Sequence, residues 1–268
     1  MVNNTQYYIK DNELESKGII SRELIKAVIT ANGANGLRFL LNNVLIEAHI
    51  DNLHSTQRNT VLAKAGECLC LTEHFLAAAS IYGLDNFDLS ISESELPFGD
   101  GSAKLWIDFF KQAGLRQGDR GIQYHLEQEY RIVDENDDSR YIVLKPSPDF
   151  KLTYCLDWKH PKIGKQEYTW SIDESIDDIA TARTFSNEEE NKMLGLSGWV
   201  IGLTEDDFTH DLHQANEPAR HKALDLIGDL RLSGMNPVKI AMHVTSHKGG
   251  HELNSRAAKL LQEVCCAK

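Results

Sequence analysis

The sequence predicts an α+β fold laid out in two successive parts. Short strand-like runs alternate with apolar-periodic helices along the chain. Several of these helices meet a glycine at their C-terminal end, the residue best able to close a last turn. A polar, glycine-containing segment, Arg116–Gln117–Gly118–Asp119–Arg120–Gly121, divides the pattern. A faint echo links the two parts. Glu73–His74 to Gly83, and Arg220–His221 to Gly234, each open a helix at a histidine and close it at a glycine before a strand.

The elements follow in order. Residues 1–16 are polar and mildly acidic and read as a flexible tail, without the marks of a secretion signal or transit peptide. Residues 17–117 form the expected first domain. In it, Leu24–Thr30 and Leu37–Ile46 read as strands around the turn Asn32–Gly33–Ala34–Asn35–Gly36. Thr72–Tyr82 is a helix stopped by Gly83, Phe87–Ser92 an alternating strand, and Ser102–Ala113 a helix stopped by Gly114. Residues 118–268 form the expected second domain. Tyr124–Val133 and Arg140–Lys145 read as a hairpin around Asp134–Asp138. Lys151–Asp157 and Glu167–Ile172 are strands, with a turn-rich excursion at Lys159–Lys165 and a small insert near 157–168. Ile176–Ala182 is a short helix, His221–Leu232 a longer one ended by Gly234, Lys239–Thr245 a strand, and Leu253–Cys265 the last helix.

Composition sets the outer bounds. A chain of 268 residues can bury one large core or two moderate ones. A formal charge of −12 argues against a nucleic-acid partner. An anionic nucleotide would need a local basic pocket, for which Arg220, Lys222, His247 and Lys248 are candidates. No apolar run approaches the roughly 18 residues of a membrane span. The five cysteines lack a C-x-x-C pair; Cys68 and Cys70 would share a strand face, and Cys265 and Cys266 are adjacent. They read as reduced thiols of a cytoplasmic protein.

The chemistry concentrates in Arg220–Asp229. On a helix, His221, Asp225 and Asp229 fall at i, i+4 and i+8 and stack on one face. An imidazole and two carboxylates flanked by aliphatics are costly to bury without a partner, and a divalent metal suits both donor types. The same i, i+4 spacing also suits a surface hydrogen bond. Three further pieces bear on the choice: Thr72–Glu73–His74 at the start of an apolar helix, His251 after Lys248–Gly249–Gly250, and Thr184 within Ala182–Arg183–Thr184–Phe185.

Together these pieces resemble the UDP-3-O-acyl-N-acetylglucosamine deacetylase family, zinc enzymes of lipid A synthesis. The resemblance is carried by Leu71–Ala78, by Ala182–Phe185, by Arg220–Leu230 without a gap and by Gly249–Asn254. Gly83–Asn86 and Glu95–Ala103 match as well, so it covers nearly the whole chain from about Gly18. It implies two similar α+β domains, each a two-layer sandwich of sheet and helices. Their helix layers face each other with the metal between them.

The resemblance also implies roles. His74, His221 and Asp225 match the zinc ligands, and Glu73 the general base; helix-dipole compensation would equally place a glutamate there. His251 matches the general acid and Asp229 the carboxylate that holds its proton. Asp229 alone could be a solvated helix carboxylate. Thr184 matches the hydroxyl at the oxyanion, Lys222 a phosphate contact, and Phe185 a ring on the sugar, or simple core filling. The implied reaction is hydrolysis of the N-acetyl group of a UDP-linked 3-O-acyl-N-acetylglucosamine by a cytoplasmic monomer. Another N-acetylated sugar, or a non-catalytic binding homologue, are the alternatives. His243, His247, the His210–His213 pair, His49 and His54 read as non-ligands.

The chain also departs from the family. The early G-L-H-S-G-E motif is Gly18–Ile19–Ile20–Ser21–Arg22–Glu23, so Ile20 replaces a histidine and Arg22 a glycine. The 184–221 segment is shorter than usual, with Gly195–Leu196–Ser197–Gly198–Trp199 in place of the family loop. The insert keeps Asp157-x-x-His160–Pro161 but offers only Trp158, Ile163 and Tyr168 as large apolar groups, which suits a short or absent acyl chain.

Overall fold

The computed structural model describes residues 7–33 and 36–267. The chain opens with strands β1 (Tyr8–Lys10), β2 (Glu13–Lys17), β3 (Leu24–Ala31), β4 (Leu37–Leu41) and β5 (Val44–Glu47). A small three-stranded sheet follows: β6 (Leu53–Ser55), β7 (Val61–Lys64) and β8 (Glu67–Leu69). Helix α1 (Glu73–Tyr82), β9 (Phe87–Ile91) and α2 (Lys104–Gln112) complete the first half. The first large sheet has the order β1-β2-β3-β9-β4-β5, antiparallel except for the parallel β4–β9 pair.

The second half contains β10 (Tyr124–His125), β11 (Tyr130–Val133), β12 (Tyr141–Pro146), β13 (Lys151–Trp158) and β14 (Gly164–Ser171). Then come α3 (Ile176–Ala180), β15 (Phe185–Asn187), α4 (Glu188–Leu194), β16 (Ile201–Leu203) and α5 (Glu217–Leu230). β17 (Ile240–His247), α6 (His251–Val264) and β18 (Cys266–Ala267) end the chain. β17 organises the second large sheet by pairing with β12, β13 and, at its start, β10. β15 and β16 form a separate parallel pair.

Helices α1 and α5 lie against each other between the sheets. Every residue of α1 is buried, and α5 is buried along nearly its whole length. α1 packs on α5 and α2, and α5 packs on α1, α6 and the β13–β14 hairpin, so that Arg220 and Lys222 are the α5 residues left part-exposed. Phe75 of α1 meets Phe39 of β4 edge-on at 5.5 Å and Trp106 of α2 at 4.9 Å. The expected two sandwiches with facing helix layers are present, and one continuous apolar core runs through both.

Several boundaries differ from the sequence reading. Of the expected tail, residues 1–6 lie outside the described residues, but β1 and β2 occupy most of 8–17. Glu13–Lys17 alternates, burying Leu14 and Ser16, and a buried serine masked the apolar period. Leu37–Ile46 is two strands. The chain reverses at Asn42 and Asn43, both at positive φ (48° and 64°), the geometry a two-residue hairpin requires. Tyr124–Val133 is likewise split, because Tyr124–His125 pairs parallel to β17 rather than with β12. In the expected turn after β3, Ala34 and Asn35 lie outside the described residues.

Candidate metal centre and active site

The site forms where α1 crosses α5. The helices meet at Gly228: a Cβ there would lie 2.1 Å from the Glu73 carbonyl oxygen, so only glycine permits this approach. The crossing carries Glu73 and His74, on the first turn of α1, onto the α5 face bearing His221, Asp225 and Asp229.

His74, His221 and Asp225 are buried and converge. Their ligand atoms lie within 4.8 Å of one another, the one group of this kind among the described residues. Asp225 Oδ1 is 3.4 Å from His74 Nε2 and 3.4 Å from His221 Nε2, yet it is a buried oxygen without a hydrogen-bond partner. Its other oxygen, Oδ2, accepts from Lys222 Nζ at 2.9 Å. His221 donates Nδ1–H to the carbonyl of Ala182 at 3.1 Å, which leaves its Nε2 lone pair facing Asp225. Burial, with His74 and Lys222 adding to it, holds the His221 imidazole down at about 3, hence neutral. Burial opposes charge on Asp225 too, but the Lys222 ammonium and the raised His74 outweigh it and keep the carboxyl well below its ordinary range. At His74 burial is again opposed, by the Asp225 and Glu73 carboxylates, and the imidazole is raised. Two neutral-capable nitrogens and one ionised oxygen can hold a metal ion, whose binding would displace any proton on His74.

A second cluster lies beside the first. His251 donates Nδ1–H to Asp229 Oδ2 at 2.8 Å, and Asn254 donates to the same oxygen at 2.8 Å. Thr60 donates its hydroxyl to Asp229 Oδ1 at 2.5 Å, and its backbone N–H to Glu73 Oε2 at 2.9 Å. Burial lowers the basicity of His251, but Asp229, with Asp225 and Glu73, more than compensates and raises it to about 9. Burial pushes the Glu73 carboxyl above its ordinary value. Thr60 gives no signal in the sequence, where it is one of two threonines in the polar run Ser55–Thr60.

The Ala182–Phe185 segment lies across the α5 face. Arg183 anchors it by a buried pair with Glu217, Nε to Oε1 2.8 Å. Thr184 donates both its N–H and its hydroxyl to the Gly101 carbonyl, each at 2.8 Å. Phe185 sits edge-on to His221 (6.2 Å between ring centres) and to Trp158 (5.4 Å), with Lys222 Nζ 5.6 Å over its ring.

The outer parts are less convergent than the sequence suggested. Only Lys222 of the four basic candidates reaches the metal cluster. Arg220 covers the Tyr168 ring, His247 stacks on Tyr141, and Lys248 turns to Ser139 and Asp157. The stretch 157–168 is the tip of the β13–β14 hairpin. Ile163 and Tyr168 are buried there, while Trp158 is 41% exposed. His243 and His247 lie on a strand, His49 caps a short 3₁₀ turn, and among the described residues the one convergent group contains none of His49, His54, His210, His213, His243 and His247.

Comparison with known proteins shows the family to which the chain belongs. The family described as UDP-3-O-acyl N-acetylglycosamine deacetylase matches residues 9–263. The chain is similar to the UDP-3-O-acyl-N-acetylglucosamine deacetylase of Leptospira biflexa, 31% identical over 92% of this chain and 86% of the relative. It is 31% identical to that of Syntrophus aciditrophicus, over 82% of this chain and 72% of the relative. It is 33% identical to that of Chlamydia trachomatis, over 78% and 76%.

Proposed function

Because the chain belongs to the UDP-3-O-acyl N-acetylglycosamine deacetylase family, we propose that it is a zinc-dependent amidohydrolase of lipid A biosynthesis. It removes the N-acetyl group from a UDP-linked 3-O-acyl-N-acetylglucosamine and releases acetate. The observation that carries this reading is the convergence of His74 and His221 on the partnerless, buried Asp225 Oδ1. Zinc bonds of about 2.0–2.2 Å, arranged tetrahedrally, set neighbouring ligand atoms about 3.3–3.6 Å apart. The two 3.4 Å separations to Asp225 fit that spacing.

His74, His221 and Asp225 would hold the zinc, which supplies polarisation of the amide carbonyl and activation of water. Glu73, aimed by the Thr60 N–H, takes the proton of the attacking water. His251 is kept cationic by Asp229 and passes the proton on its free nitrogen to the leaving amine. Thr184 turns its hydroxyl from Gly101 toward the developing oxyanion. Lys222, beside Asp225 and above Phe185, meets the diphosphate, and Phe185 packs on the sugar. We take residues 17–117 and 118–268 as the two domains, and the working protein as a cytoplasmic monomer. No helix among the described residues is long and apolar enough to cross a membrane.

The substrate is one with a short acyl chain. Ile163 and Tyr168 are withdrawn into the core, which leaves Trp158 beside Phe185 as the apolar surface of the hairpin tip. The test combines metal analysis with acetate release from UDP-N-acetylglucosamine carrying 3-O-acyl groups of increasing length. The expected result is one zinc per chain, and affinity that rises with the first carbons and then levels off. A closed tunnel would add about 0.8 kcal/mol for every methylene buried. A steady gain to long chains refutes the short-chain reading; no acetate from any member refutes the deacetylase itself.

A further inference from the structure

We infer that Thr60 is a positioning residue of the active site, whose hydroxyl acts on proton delivery through Asp229 and His251. This rests on the deacetylase reading above and adds to it a residue that belongs to neither helix. Thr60 is 1% exposed and immediately precedes β7 in the small sheet. It touches both proposed proton-handling groups, Glu73 by its backbone and the Asp229–His251 pair by its side chain.

The directions of these bonds follow from the chemistry of the partners. An ionised Asp229 only accepts, so the single hydroxyl proton of Thr60 points to Oδ1 at 2.5 Å. The hydroxyl lone pairs then face His251 Nδ1 at 3.3 Å, as a secondary acceptor for the N–H that Asp229 Oδ2 takes at 2.8 Å. The Thr60 carbonyl is held in turn by the Thr72 hydroxyl at 2.9 Å. Thr72 is the residue before α1, so Thr60 ties the start of α1 to the Asp229 turn of α5.

Removing the hydroxyl deprives a fully buried carboxylate oxygen of its donor, and such an oxygen seeks a new one by rotating. Asp229 Oδ2 orients the His251 ring, so rotation of the carboxylate re-aims the imidazole. Displacements of about 1 Å at a proton donor cost on the order of 10²-fold in rate.

Thr60→Val tests this, because it keeps the β-branched shape and the backbone N–H to Glu73 while deleting the hydroxyl. Zinc-loaded Thr60→Val is expected to lose about 10–100-fold in kcat, with KM nearly unchanged. Thr60→Ser is expected to recover most of the loss. In an Asp229→Asn background, Thr60→Val should cost little more, because the two changes act on one contact. A metal-free readout is the Nδ1–H proton of His251 in NMR spectra, expected to be sharp in the wild type and broadened by exchange in Thr60→Val. Wild-type kcat in Thr60→Val, a Thr60→Ser as impaired as Thr60→Val, or additive losses in the double variant would overturn the inference. If Thr60→Val fails to fold, Thr60→Ala is carried through the same cycle, with the same outcomes deciding. A wild type that releases no acetate sinks the functional reading alone, and the NMR comparison still decides whether Thr60 holds His251 on Asp229.

Discussion

The floor of the site and its rim are built on different principles. The floor is the α1–α5 crossing, where the proposed ligands and proton-handling groups hang from two helices inside the continuous core. The rim is made of loop 18–23 and the segment 187–200. The Glu95 carboxylate ties down the first by accepting from Ile20 N–H at 2.9 Å and Ser21 N–H at 2.7 Å. Arg22, at φ 66°, donates to the Gly195 carbonyl and lies 5.1 Å over the Trp199 ring. Ile19, Phe98 and Val200 form a small apolar cluster of their own, while Ile20 is 57% and Met193 80% exposed. A floor set in a packed core transmits any change straight to the chemistry. A rim held by a few bonds meets it at fewer points, such as Phe98, whose ring lies 6.0 Å from that of His74, and Ile20, Arg22 and residues 195–199 all fall on the rim.

The sharpest way to break this contrast is at the floor. His221→Ala should abolish tight zinc binding and activity together, since it removes one of the three proposed ligands; elemental analysis reading a full complement of zinc in that variant would refute the ligand set. Next in size, Glu73→Gln should keep its zinc and lose about 10²–10⁴-fold in turnover. Near-normal turnover would rule Glu73 out as the base.

The third effect is a shift in pH dependence. Burial disfavours the His251 cation, and Asp229 outweighs burial, so the charged form survives to about pH 9. Asp229→Asn removes the raising charge, and the alkaline limb of kcat/KM should move to lower pH. The stability sign follows from the same shift. In the metal-free chain the folded-state value lies above the unfolded one of about 6.5. The contribution is therefore complete below pH 6.5 and lost as pH rises through about 9. An Asp229→Asn profile whose alkaline limb stays in place would contradict the pairing.

The smallest effect belongs to the rim. Arg22→Ala deletes a cation–π contact, a type of interaction worth about 0.5–1 kcal/mol when exposed, together with its hydrogen bond to Gly195. Turnover should hold while KM rises by a few-fold, and limited proteolysis should cut 195–199 faster. A kcat loss as large as that of Glu73→Gln would show that floor and rim are one unit.

Some of this was legible in the residues and some was not. The helical period of α5 put His221, Asp225 and Asp229 on one face, and Gly83 and Gly234 marked where chain segments stop. Asn42–Asn43 was a turn signal hidden inside an apolar run, and Ser16 hid the alternation of β2. The basic candidates Arg220, His247 and Lys248 are near one another or near His221 and His251 in sequence, yet each turns to a different partner.

By itself the sequence determined the local geometry: which side chains share a helix face, where helices end, and which residue types could bind a metal or move a proton. Those follow from backbone periodicity, which acts over a few residues. The tertiary structure alone decided that His74 would stand across from Asp225, that Gly228 would admit the Glu73 carbonyl, and that Thr60 would hold both Glu73 and Asp229. These contacts join residues far apart in the chain, and their geometry depends on how two helix layers pack around one core. No local rule carries that information, because close packing is a property of the assembled whole.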